Sequence, residues 1–572
     1  MRRLFAVLGA AFLVAVSCGP AQTGPGASAA GSATEKPVAG GRLVEGQIGD
    51  PKTFQPVIAT DSVSSNSWGQ LYLPLLRSNP QTGDLEGNLA EKFDQSADGK
   101  TVTFTLRDGL VWSDGQPFTG DDYKYTVEAV ARSKKTVRKS SFQDIDGWAD
   151  YLNGKTDTLA GLTVSNGGKT ITVTFAKVSC PAVRGIQGAG GGVIPKHAFL
   201  QYWDNKSTDT TKNIDDNPMN NAPVASMGPW VFKSFTPGQT IEYVRNDKYF
   251  RGAPLVEQFT LKNYADANAV KAAFLVGEVS YISPALGDVD ELKKDQDAFF
   301  TRFPSVTAYS FIGWNAAAAK APWLKSKQVR QALWYGINVQ AIIDKIVFGY
   351  GKQVYTHIPA ASWAYSDAGL NHYAYDPAKA KQLLESAGAK MGSDGVYRWT
   401  DGSPMKMRIE TNQGNTARET TLQFAQDQYK QIGIQIDPLL ESFNALLDRT
   451  VPGTDYEGWI LGWTGLAGDP DGASYSIFHS SQRGKDQFNN MDFVNAQVDK
   501  DLDQGRNGPD CSQPTRAKLY QDFGKILNDE APYTFLYSGD AINFYSKKLQ
   551  NIQATPYSSG SYWNIEKWWI KP

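Results

Sequence analysis

Apolar and polar positions alternate along residues 101–107 (TVTFTLR): Val102, Phe104 and Leu106 share one side, polar groups the other. A period of two predicts a strand with one buried face. The stretches 162–164 and 171–175 repeat the pattern around Asn166-Gly167-Gly168, whose residue types suit a tight reversal, and they predict a hairpin. A further strand pair is predicted at 241–245 and 259–262, and a strand at 310–314. Later in the chain the period lengthens. Asp376 and Pro377 supply an N-cap and a first helical residue, Ala380, Leu383, Leu384 and Ala387 make one apolar stripe, and Gly388 ends it. Thr416 and Glu419 have capping-box spacing. Leu422, Ala425, Tyr429 and Ile432 follow on one face, Gly433 closes that helix, and 434–436 reads as a strand. Helices and strands mixed over short connections predict an α/β chain.

The first residues follow neither period. Arg2 and Arg3 precede an unbroken apolar run over 4–16, then Ser17, Cys18 and Gly19. A charged start and a run shorter than the ~20 residues of a membrane-spanning helix read as a secretory signal over 1–17. The segment Ala15-Val16-Ser17-Cys18 resembles a bacterial lipobox, with Ala15 where Leu is more usual. That resemblance implies that Cys18 is lipidated. Residues 18–40 hold few bulky apolar side chains and read as a flexible leash. The expectation is an exported protein anchored through Cys18 to the outer face of the cell membrane or in the periplasm. Cys180 and Cys511, far apart in sequence, are read as separate thiols.

At 572 residues the chain is long enough for several cores. Its net charge of −2 gives no long-range attraction for nucleic acid or an anionic membrane surface. Catalytic signatures are missing. The four histidines, at 197, 357, 372 and 479, form no zinc-protease spacing, and there is neither a nucleophile elbow nor a phosphate loop. The run 188–192 is Gly-rich, but Pro195 follows where a dinucleotide site needs a helix, so a close-packed loop is expected. Asp469-Pro470-Asp471-Gly472 lacks the further oxygen ligands of a calcium loop and reads as a structural turn. The expectations are therefore no enzyme activity, no metal and no cofactor.

Several blocks occur in one order along the mature chain. Asn88-Leu89-Ala90-Glu91-Lys92-Phe93 precedes Asp98-Gly99-Lys100, Thr103-Phe104-Thr105-Leu106-Arg107, Trp112 to Thr119, and Asp121-Asp122. Gly228-Pro229-Trp230, Asn246 to Phe250, Val329-Arg330-Gln331-Ala332-Leu333, Asp376-Pro377 and Ala531-Pro532-Tyr533 follow. This order resembles the extracellular solute-binding proteins of family 5, the dipeptide and oligopeptide type. The resemblance implies a two-lobed periplasmic-binding-protein fold of type II, in its large three-subdomain form, with a hinged cleft. Lobe I is expected at 41–78, 224–305 and 545–572, with an inserted subdomain at 79–223, and lobe II at 306–544. It further implies a monomer that delivers a peptide to an ABC permease driven by a cytoplasmic ATPase. An oligosaccharide ligand, or an enzyme or envelope structural protein on the same scaffold, is the alternative.

The segment Gly462-Trp463-Thr464-Gly465-Leu466-Ala467-Gly468-Asp469-Pro470-Asp471 resembles the family's ligand-pocket segment. The resemblance implies that Trp463, Thr464, Leu466 and Asp469 face the ligand. Leu466 stands where peptide binders of the family place an Asp that pairs with the ligand's α-ammonium. The missing counter-charge then falls to Asp61 or Asp469, or the ligand is uncharged there. The loop 60–65 is expected to contribute Asp61, Ser62 and Val63, and Asn315 is expected near the crossover between lobes.

Overall fold

The computed structural model describes residues 36–572 except 82, 188–190, 205–211, 304–306, 361, 451–455, 465–467, 485–486, 556 and 558–561. The signal segment, Cys18 and Leu466 lie outside the described residues, as does most of the Gly-rich run. Gly192, at its end, packs against Pro56, Trp68 and Tyr72, where an added Cβ would sit 3.1–3.2 Å from their side chains.

Three sheets organise the chain. A seven-stranded sheet runs in the order 298–303, 541–546, 281–282, 42–48, 258–264, 240–245, 230–236. Strands Arg42–Ile48 and Gln258–Tyr264 at its centre are parallel. The expected pair at 241–245 and 259–262 is antiparallel within it. A four-stranded sheet joins Ala90–Gln95, Thr101–Leu106, Thr170–Thr174 and Leu162–Ser165. Val102, Phe104 and Leu106 are the buried positions of strand Thr101–Leu106, as the alternation requires. Helix Gly120–Arg132 packs nearby, started by a capping box in which the Asp122 carboxylate accepts from the Thr119 N–H. The two sheets share one hydrophobic core, in which Leu43, Trp230 and Phe259 pack in the same cluster as Val102, Phe104 and Ile171.

A five-stranded sheet runs in the order 435–441, 406–412, 458–463, 309–314, 533–535. Its core residues fall in two further clusters, one around Trp314, Leu333 and Ile409 and one around Phe311, Phe478 and Tyr533. The molecule is thus two-lobed. The chain passes between lobes twice, between strands Ala298–Phe303 and Tyr309–Trp314 and between Tyr537–Gly539 and Ala541–Ser546. Because 541–546 lies wholly in the seven-stranded sheet, the expected limit at 544/545 cuts through a strand.

Two local expectations are corrected. Helix Thr416–Gln431 is capped by Asn415, whose side chain accepts from the Arg418 N–H. Glu419 instead accepts from the Gly414 N–H. The N-cap is therefore one residue earlier than the Thr416–Glu419 spacing suggests, and the two residues do not form a capping box. Cys180 and Cys511 are joined by a disulfide, with Cα atoms 5.0 Å apart across 331 residues of sequence. Nothing local in the sequence brings them together; the packing of the lobes does.

Candidate functional site

Between the lobes lies a cavity of about 1190 Å³. It sits where four strands end. In the first lobe, strands Arg42–Ile48 and Gln258–Tyr264 run parallel and deliver Ile48, Gly49 and Tyr264 to the cavity wall at their carboxyl ends. In the second, Lys406–Asn412 and Gly458–Trp463 run parallel and deliver Asn412 and Trp463. A crevice beyond the carboxyl ends of parallel strands is the usual ligand position in α/β sheets. The connections that follow carry helix starts. Asp61 caps Ser62–Trp68, Asp266 caps Ala267–Leu275 and Asn415 caps Thr416–Gln431, and all three line the cavity. Helix N-termini turned to one space favour carbonyl and carboxylate oxygens there.

Side-chain amides dominate the polar wall: Asn66, Asn263, Asn268, Asn412, Gln413 and Asn415. Asn490 adds a buried side-chain oxygen that accepts no hydrogen bond among the described residues. Amides donate and accept at once, so they match backbone amides as well as hydroxyls. Phe443, Phe488 and Trp463 supply the apolar wall. Across the rim, Lys52 of the first lobe pairs with Asp448 of the second at 2.7 Å, so the lobes are closed on each other.

The charges in the cavity are unequal. Asp61 accepts from both the N–H and the hydroxyl of Ser64, at 2.7 Å each, and Asp266 accepts from the Ala269 N–H. Arg418 is the cation. Its Nη1 donates to the Asn412 side-chain oxygen at 2.7 Å, and burial pushes its guanidinium below the ordinary value. No carboxylate among the described residues pairs with it. A half-buried guanidinium that faces a cavity without an anion of its own is a ready partner for a ligand carboxylate.

The residues expected at the site separate on inspection. Asp61, Ser62, Val63, Trp463 and Thr464 all line the cavity. Trp463 also serves the core, with its ring parallel to Phe311 and its Nε1 donating to the Tyr533 hydroxyl at 3.2 Å. Asp469 and Asn315 are not among the lining residues. Asp469 takes a two-point contact from Arg516, with Nη2 at 2.8 Å from its Oδ1, and accepts from the Asp471 N–H. It stands just before the helix Asp471–Phe478, whose first two residues the expected turn at 469–472 had included, and its charge is already matched. Asn315 is fully buried; its amide donates to the Tyr456 carbonyl and its oxygen accepts from Ala317. Strand Tyr309–Trp314 carries it away from the crossover by roughly 17 Å at about 3.3 Å per residue. Arg418 is not singled out by the sequence pattern, in which the cap reads one residue later than Asn415. A strand ending at 412 and a capped helix after it were the signal available.

The chain matches a family profile described as bacterial extracellular solute-binding proteins, family 5, over residues 84–485. It is 28% identical over 555 residues to the oligopeptide-binding protein AppA of Bacillus subtilis, covering 95% of this chain and 94% of that one. The structure of that AppA in complex with a nonapeptide matches with a TM-score of 0.82 at 27% identity, covering 94% of this chain and all of the other. NikZ of Campylobacter jejuni, solved with Ni(L-His), has the same fold at a TM-score of 0.79 and 23% identity, over 92% and 99% of the two chains. No helix among the described residues is long and apolar enough to cross a membrane. With two lobes closed on a cavity at their strand ends, the chain belongs to the extracellular solute-binding proteins of family 5 and is a binding protein, not an enzyme.

Proposed function

We propose that the protein is the substrate-binding component of an ABC importer and that its solute is a peptide, held in the cleft with its terminal carboxylate on Arg418. The observation that carries this reading is Arg418, a half-buried cation on the wall of an amide-rich cavity that pairs with no carboxylate among the described residues. At about 1190 Å³ the cavity exceeds the ~300–1,000 Å³ of ordinary small-molecule sites, which suits a ligand of several residues. Amide side chains on both lobes match the alternating donors and acceptors of a peptide backbone. The ligand's ammonium is left to Asp61, Asp266 or Glu419, the lining carboxylates, which retain acceptor capacity beyond the backbone bonds they accept. The likeness to AppA bound to a nonapeptide supports the same ligand class.

The test is calorimetry with tetrapeptides of one sequence, bearing either a free or an amidated C-terminus. The free acid binds, and both amidation and Arg418→Ala weaken binding about tenfold to a hundredfold, as loss of a charge-assisted bond of ~1.5–3 kcal/mol requires. Equal affinity for acid and amide rules Arg418 out as the anchor.

Anchoring through a lipid on Cys18, with 18–40 as leash, completes the proposal and places the capture step beside the permease. Cys18→Ser then moves the protein from the membrane fraction to the soluble one; retention on membranes through detergent-free washing contradicts the anchor.

A further inference from the structure

The disulfide joins residues that belong to different lobes. Cys180 follows the four-stranded sheet, which shares its core with the seven-stranded sheet and so moves with the first lobe. Cys511 lies between helices Ala496–Asn507 and Gln513–Glu530, whose buried residues belong to a core of the second lobe. The bond is therefore a third covalent connection between the lobes, added to the two chain crossings.

The contacts around it cross the same boundary. The Cys180 N–H donates to the Arg506 carbonyl at 2.8 Å. Asn507 donates to the Val178 carbonyl at 2.7 Å and to Asp144 at 3.1 Å. Arg506, 5% exposed, donates to the Ser140 carbonyl at 2.6 Å and stands 3.7 Å from Asp144 of the first lobe and 3.6 Å from Asp471 of the second. Asp471 opens the helix that leaves the segment bearing Trp463 and Thr464. Opening the lobes here would part Arg506 from Asp144 and from the Ser140 carbonyl while leaving it beside Asp471 of its own lobe.

We infer that the Cys180–Cys511 disulfide is a redox-operated clasp on the cleft. Closed lobes hold the two thiols within bonding reach. Oxidation by a disulfide partner removes two electrons and two protons from them, forms the Sγ–Sγ bond and limits how far the lobes part. A dithiol returns two electrons and two protons, becoming a disulfide itself, and frees the lobes to open fully. The inference rests on the two-lobed cleft and not on the ligand's identity, so it stands or falls separately from the peptide reading.

The experiment uses the mature chain carrying Cys18→Ser, so that Cys180 and Cys511 are its two cysteines, without added ligand and in three forms: untreated, reduced with dithiothreitol, and with Cys180→Ser/Cys511→Ser added. Thiol titration, small-angle scattering and hydrogen exchange are read on each. The untreated protein has no free thiol. The reduced and double-serine proteins show a larger radius of gyration, and amide exchange in peptides spanning 178–180 and 506–508 speeds up about tenfold or more, as these groups pass from protected to openable. Reduction of the chain with Cys180 and Cys511 intact keeps the test valid should their serine variant fold poorly. Free thiols in the untreated protein overturn the inference. So do superimposable scattering and unchanged exchange after reduction, even with a lower melting temperature, since that outcome describes a staple and not a clasp.

Discussion

Glu45 lies in the central strand of the first lobe's sheet, on the wall of a second cavity of about 510 Å³. That cavity shares Ile48, Ser62, Val63 and Asn66 with the main cleft. Its carboxylate accepts from the Tyr562 hydroxyl, and Tyr243, Tyr281 and Tyr545 are close enough for its charge to act on them. Burial pushes its carboxyl from 4.5 up to about 8. The folded chain thus keeps a proton that the unfolded chain loses near 4.5, and between those values the folded state carries the extra proton. Stability therefore falls as pH rises through that window, by up to about 1.4 kcal/mol per pH unit. Glu45→Gln removes that dependence. Melting at pH 5 is expected to match wild type, and at pH 8 the variant is expected to melt higher. A difference that does not change between the two pH values contradicts the assignment.

Among the elements, the turn 468–470 decides how the ligand-facing segment is held. Asp469 and Arg516 form a pair whose side chains are 10% and 4% exposed, so neither charge has water to fall back on. Asp469→Ala leaves Arg516 buried without its anion, a loss of about 3–5 kcal/mol for a pair of this kind. Denaturant unfolding of the second lobe measures it, and a change under 1 kcal/mol shows that the pair does not hold the turn. The segment also marks the limit of reading from sequence. Periodicity located the strands at 101–106 and 170–174 and the helix at 377–386, because those patterns are set by one buried face each. The residue types of 469–472 suggest a turn, but only 469–470 precede the helix Asp471–Phe478, which takes up the other two. What Asp469 faces was not legible, because Arg516 comes from a helix 47 residues on. For the same reason Arg418 and the partnership of Cys180 with Cys511 went unseen. Each depends on which strands end side by side and on which lobes meet, and no local pattern encodes either.

At the scale of the whole molecule, two lobes with separate cores close over one cavity, joined by two chain crossings, an ion pair at Lys52–Asp448 and the contacts around Arg506. The cleft offers a cation, helix starts and amides, and the rings of Trp463, Phe443 and Phe488 could equally face a sugar. Arg418 separates these ligands, since a neutral oligosaccharide leaves it unpaired and a peptide does not. The most direct measurement is native mass spectrometry of the protein incubated with an equimolar mixture of free-acid tetrapeptides, their amides and neutral oligosaccharides. The free-acid peptides are expected to be the bound species, with Arg418→Ala abolishing the preference. Retention of oligosaccharides with no peptide bound would contradict the account.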